Sequence, residues 1–167
     1  MATTVESLYP PELIQAVGHV VMSAAWVEDK AGELVNLPTL LPGGDPNIPA
    51  KGWAASGEQL TTAFEKVAGK QLADRLRQAL EHRNDVVHGV FVEGEMFAPQ
   101  GTSGAPSWVT MKRQFGRSKP AEYSLKGWKE LELDALAAEL SAIEDLIDDE
   151  ISYMMGLKNR PDPATNP

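Results

Sequence analysis

Leu133, Leu136, Leu140, Ile143, Ile147, Ile151 and Met154 recur every three or four residues, and the positions between them carry a run of carboxylates. This is the spacing of one face of an α-helix, with an apolar side for a core and a charged side for water. The pattern predicts a helix over about residues 128–155, closed by Gly156, since glycine readily takes the left-handed conformation that ends helices. So one-sided a helix cannot stand alone. The rest of the chain has to supply partners that cover the apolar stripe.

Pro10 and Pro11 suit a first helical turn, where a missing N–H costs nothing. Leu13, Ile14, Val17, Val20, Val21, Ala24 and Val27 follow at helical spacing, which predicts a helix over about residues 10–35. The next 18 residues, NLPTLLPGGDPNIPAKGW, hold four prolines and three glycines and read as a long loop from Asn36 to Gly52. Ser56-Gly57-Glu58-Gln59 has the form of a capping box, with Ser56 as N-cap and Gln59 reaching back. Leu60, Phe64, Val67, Leu72, Leu76, Leu80 and Val87 then predict a second helical region over about 57–88, with Gly69 as a break or kink.

From Val90 the texture changes to short β-branched and aromatic runs, GVFVEGEMF, SWVTMKRQF and PAEYSL, separated by Gly, Pro and Ser. They read as a small antiparallel hairpin or three-stranded flap. The expected fold is therefore mainly α, a helical bundle forming a single domain over residues 1–156. A small antiparallel β-insertion at about 90–126 lies between the last two long helices. Residues 157–167 are expected to be a disordered tail.

Composition narrows the function classes. With 167 residues, 43% hydrophobic and 23% charged, the chain is long enough for a sizeable core and ordinary for a globular protein. Cysteine is absent, which excludes disulfides, thiolate chemistry and most structural zinc sites and fits a cytoplasmic protein. No long apolar run suggests a membrane span, and MATTVESLYPPE lacks the form of a secretory signal. The formal charge of −9 argues against nucleic acid, but it is unevenly spread. Residues 107–129 have six basic side chains against one acid, net +5, whereas 130–150 have nine acids and no base, net −9.

The chemistry-bearing stretch is EHRNDVVHGVF, residues 81–91, at the end of the second helical region. Asn84 and His88 are four residues apart and share a helix face, while Arg83 and His88 lie about 140° apart. An always-charged Arg beside a His that exchanges a proton near neutral pH suits phosphate chemistry. Arg would stabilise charge on a phosphoryl oxygen, His would act as acid or base, and Asn84 would hold the imidazole or a phosphate oxygen. Helix-end electrostatics alone also favours cations in a last turn.

Arg83-Asn84-Asp85-Val86-Val87-His88-Gly89, late in a long amphipathic helix, resembles the R-N-x-x-x-H pattern of HEPN domains. The resemblance covers about residues 57–92 and 128–155. It implies an α-helical bundle and a metal-independent endoribonuclease, a toxin or defence component, whose site forms when a homodimer brings Arg and His of two copies together. Arg83 would bind the phosphate, His88 would move the proton, and Asn84 matches the polar residue after the Arg. RNA and a cognate antitoxin or other protein are the implied partners, with no cofactor. The family also contains inactive members that bind nucleotides or proteins, which is the second reading. A purely structural role for Arg83 and His88 is the third.

Trp108, Phe115 and Tyr123 interleave with Lys112, Arg113, Arg117 and Lys119, a mixture suited either to RNA stacking or to hairpin packing. The expectation is packing for Trp108 and RNA or partner contact for the four basic residues. His19 reads as a partly exposed helix residue, His82 as a solvated one with lining the Arg83 site as the alternative, and Asp148, Asp149 and Glu150 as a solvated face rather than a cation site. Three histidines without cysteine or an H-E-x-x-H spacing predict no metal site.

Overall fold

The computed structural model describes residues 8–43, 57–96, 106–114 and 122–160. Four helices, α1 (Pro11–Leu40), α2 (Glu58–Ala68), α3 (Lys70–His88) and α4 (Glu130–Met154), carry most of the chain. Between α3 and α4 lies a three-stranded antiparallel sheet in the order β1 (Val90–Glu93), β2 (Trp108–Gln114), β3 (Glu122–Trp128), with a 3₁₀ turn at Gly94–Met96. The mainly α architecture with a β-insertion agrees with the reading from periodicity. No helix among the described residues is long and apolar enough to cross a membrane.

Several boundaries differ, each for a local reason. Helix α1 does not stop at 35 but runs through Pro38 to Leu40. Leu34, Val35 and Leu37 are buried there, and their burial outweighs the backbone bond that Pro38 cannot donate. Thr39 Oγ1 donates to the Asn36 carbonyl at 2.7 Å, which satisfies part of the frayed end. The chain then leaves the helix near Gly43 at φ +81, while residues 44–56 lie outside the described residues. The expected capping box is not the cap of α2. The N-cap is Gly57 at φ +54 with no side-chain bond, so Gln59 falls one position short of reaching back, and Ser56 lies outside the described residues.

Gly69 does break the second helical region. At φ +80 it separates α2 from α3, its N–H donating to Glu65 O at 3.0 Å and its carbonyl accepting from Ala73 N at 3.2 Å. Arg77 of α3 spans the break, donating to Glu65 of α2 at 3.3 Å and to Asp74 at 2.5 Å. Helix α4 begins two residues later than expected because Trp128 belongs to β3. Lys129 is its N-cap, and Glu132 accepts the Lys129 N–H at 2.7 Å, half of a capping box. Its other end is a Schellman turn at Gly156, φ +71, with Gly156 N to Tyr153 O at 3.1 Å and Leu157 N to Ser152 O at 2.9 Å. The first residues of the expected tail fold back instead. Lys158 pairs with Asp149 at 2.6 Å and Arg160 with Glu150 at 2.5 Å, and residues 161–167 lie outside the described residues.

The chain divides into two compact units. One comprises residues 1–24 and 79–139 and contains the sheet; its buried side chains include Leu13, Val20, Leu80, Val86, Trp128 and Leu133. The other comprises residues 25–78 and 140–167 and contains α2; Leu34, Leu60, Phe64, Leu76, Leu140, Ile143 and Ile147 are fully buried in it. Burying one such side chain contributes about 1.5–3 kcal/mol.

The turn from α3 into β1 is the tightest point of the first unit. A Cβ on Gly89 would lie 2.6 Å from Thr110 Cβ and 2.6 Å from the Asp85 carbonyl oxygen. Gly89→Ala is therefore expected to destabilise the protein by about 1–3 kcal/mol, the usual cost of overpacking a close contact. A urea midpoint shift with an unchanged slope checks it, and an unshifted midpoint would show that the strand backs away at little cost.

Candidate functional site at the end of helix α3

The last turns of α3 present three faces with three different surroundings. Leu76, Ala79, Leu80 and Val86 form the buried stripe, and Arg83 falls in its middle. Its side chain is half-buried, with Nε at a buried position. A second face, His82, Asp85 and Gly89 at spacings of three and four, meets the inner side of the sheet. Asn84 and His88 occupy a third, with Asn84 half-buried and His88 exposed as the last helical residue. The structure thus sets Asn84 and His88 side by side and turns Arg83 about 140° away from His88 around the helix.

The second face is where charges and rings converge. Lys126 of β3 pairs with Asp85 at 3.4 Å and Lys112 of β2 at 3.8 Å, each ion about one-third exposed. Lys126 Nζ also lies 4.5 Å from the centre of the Trp128 ring, a cation–π contact. His82 meets the same ring edge-on, 6.2 Å between centroids at 84°. Trp128 Nε1 donates to Thr110 Oγ1 at 2.9 Å, and the Thr110 hydroxyl lies 3.3 Å from the Lys126 carbonyl. Thr110 and Trp128 are buried, so this chain of bonds satisfies polar groups that water cannot reach.

The basic residues expected to contact RNA are divided by the strand alternation. Lys112 points inward to Asp85, whereas Arg113, one residue on, lies on the outer face and is exposed. Arg117 and Lys119 lie outside the described residues. Trp108 packs, as expected, its ring 6.1 Å from that of Tyr9, whose hydroxyl donates to the Phe91 carbonyl at 3.2 Å.

His82 was expected to be solvated and is instead half-buried against Trp128. The only sequence signal for this was its i, i+3 spacing to Asp85, which needs Trp128 and Lys126 to be meaningful. His19 is exposed. Asp148, Asp149 and Glu150 each hold a cation of the chain itself, Lys30 at 3.0 Å, Lys158 and Arg160. Among the described residues no group of three His, Asp or Glu side chains is arranged to hold a metal ion.

Burial lowers the His82 pKa below the usual 6.5, and Lys126 lowers it further, against the opposing pull of Asp85 and Glu81. The folded state therefore binds the proton less readily than the unfolded chain. Stability from this source is complete above about pH 6.5 and is lost as pH falls through the lower folded value. Unfolding midpoints measured from pH 8 to pH 5 are expected to fall below pH 6.5 in the wild type. His82→Gln is expected to flatten that fall, and identical slopes would assign it to carboxylates elsewhere. Compared with known protein families, curated proteins and solved structures, the chain matches none.

Proposed function

We propose that the protein is a HEPN-like, metal-independent endoribonuclease, working in the cytoplasm as a toxin or defence component, whose site is shared across a homodimer. The observation that carries the reading is the placement of His88. It is the last residue of α3, exposed, beside Asn84, on a helix end whose exit is fixed by Gly89 against Thr110. In this reading His88 accepts the 2′-hydroxyl proton or protonates the departing 5′-oxygen, and Asn84 orients its imidazole. Arg83 stabilises the charge that builds on the phosphoryl oxygens. The oxygen–phosphorus bond formed by the 2′-hydroxyl replaces the one to the 5′-oxygen, leaving a 2′,3′-cyclic phosphate and a 5′-hydroxyl.

The 140° between Arg83 and His88 supports sharing between copies, because a phosphate held at His88 would then meet the arginine of the second copy. A second reading is favoured by another observation. Arg83 sits in the apolar stripe of α3, half-buried with its Nε at a buried position, so a silent module that binds a nucleotide, an antitoxin or another protein would keep it too.

Cleavage of a mixed RNA pool in EDTA tests the reading. Wild type is expected to leave cyclic phosphate ends, and His88→Ala to slow cleavage about 10²–10⁴-fold, the usual share of acid–base catalysis. Arg83→Ala should be as inactive at matched fold and oligomeric state. Mixing the two inactive variants should restore part of the activity, since one site of each mixed dimer keeps both residues. Cleavage that persists in both single variants, or none by wild type, moves the assignment to the silent module.

A further inference from the structure

The outward face of α1 holds two features that a helix packed only on its other side does not need. Trp26 is 55% exposed, and Met22, one turn before it, is 61% exposed. A large aromatic ring left in water is a common anchor of protein interfaces. One turn before Met22 stands Gly18, inside the helix, where glycine weakens the structure. Gly18 is exposed, and a Cβ added there would meet nothing within 4 Å among the described residues. So no close approach among them accounts for it. A ring without a seat and a notch without an occupant lie on one stripe.

We propose that this stripe is an interface between two copies of the chain, paired antiparallel through α1. The inference goes beyond the nuclease reading and does not rest on it. Gly18 and Trp26 lie four residues either side of Met22, and Gln15 and Asp29 seven either side. All are exposed and fall within about 40° of Met22 around the helix. A two-fold axis at Met22 therefore makes the stripe complementary to itself, as an isologous contact requires. Each Trp26 meets the notch at Gly18 of the second copy, Met22 meets Met22, and each Gln15 amide reaches Asp29.

Charge selects the same occupant and the same direction. Beside the stripe Glu12 lines a hollow with Glu130 and Asp134 of α4, three carboxylates that hold no cation among the described residues. Glu12 and Lys30 lie on one flank, each about 80° round the helix from Met22. The two-fold axis brings Lys30 of the second copy to within about one turn of Glu12. An ammonium has three donors, so Lys30, which holds Asp148 at 3.0 Å and Glu33 at 3.4 Å, keeps one for it. Parallel pairing would set Asp29 against Asp29 and Lys30 against Lys30, which repel. One pair of helix faces buries less than the roughly 1,200 Å² of a standard interface, so the dimer separates on dilution.

Sedimentation velocity over a concentration series reads the association. Trp26→Ala is expected to raise the dimer dissociation constant at least about tenfold, as loss of an interface anchor does. Gly18→Leu should raise it as much while keeping or raising the thermal midpoint, since leucine favours the helix and has open space in its own chain. The chain has no cysteine, so introduced ones report the register without background. Met22→Cys is expected to cross-link to itself on mild oxidation. Asp29→Cys should not, but should cross-link to Gln15→Cys when the two are mixed. A wild type that stays monomeric at its highest soluble concentration overturns the interface, as does a dimer that neither Trp26→Ala nor Gly18→Leu weakens. Self-cross-linking of Asp29→Cys overturns the antiparallel arrangement. None of these readouts uses RNA, so failure of the nuclease reading leaves them as they are.

Discussion

Everything around the candidate site depends on how closely β2 approaches the end of α3. Gly89 leaves no room for a side chain beneath Thr110, and that approach sets the height of the strand over the helix. Thr110 can then accept from Trp128 Nε1 while remaining buried, and Trp128 can lie against His82. A buried hydrogen bond of this kind contributes only about 1 kcal/mol net, but stranding either partner costs about 1–3 kcal/mol. The asymmetry makes the contact specific. A slip of β2 by one residue would turn Thr110 outward and Met111 inward, leaving the Trp128 N–H without its acceptor.

The same register explains why the sheet carries lysines on its packed side beside Trp128. Asp85 lies on the helix face that looks at the sheet, and a half-buried carboxylate needs a counter-charge there. Lys112 and Lys126 supply it from adjacent strands, and Lys126 Nζ also lies over the Trp128 ring. Each pair is partly exposed and contributes at most about 1 kcal/mol. Their larger effect is on specificity, since only one register brings both lysines to Asp85. Strand alternation puts Val90, Val92, Val109, Met111 and Leu125 on the other face, where Val90 and Leu125 are exposed and Val109 is buried.

The legible parts of this structure are those in which one element's own sequence determines its state. The stripe of α4, the break at Gly69 and the stop at Gly156 depend on local periodicity or on glycine's access to positive φ, and all three appear as expected. The errors arose where a distant contact overrides a local signal. Pro38 signals a helix end, but the buried Leu34, Val35 and Leu37 carry α1 past it. Trp128 fits a helix start until its ring is needed above His82. At the site, Arg83, Asn84 and His88 stood out as a motif, whereas Asp85, Lys126 and Trp128 gain meaning only once the sheet folds over α3. Strand alternation, too short and irregular to read from SWVTMKRQF, is what sends Lys112 and Arg113 to opposite faces.

The position of Arg83 bears on how a phosphate would be held. A guanidinium on a solvated flank samples many rotamers and loses that freedom on binding. In the apolar stripe of α3 Arg83 is half-buried before any ligand arrives, with its Nε at a buried position. His88, by contrast, projects from the helix end and remains accessible for proton exchange. Under the proposed chemistry the group that opposes charge starts partly desolvated and the group that moves protons is open to substrate. Electrostatic catalysis gains from the first, because a charge acts more strongly where water is partly excluded.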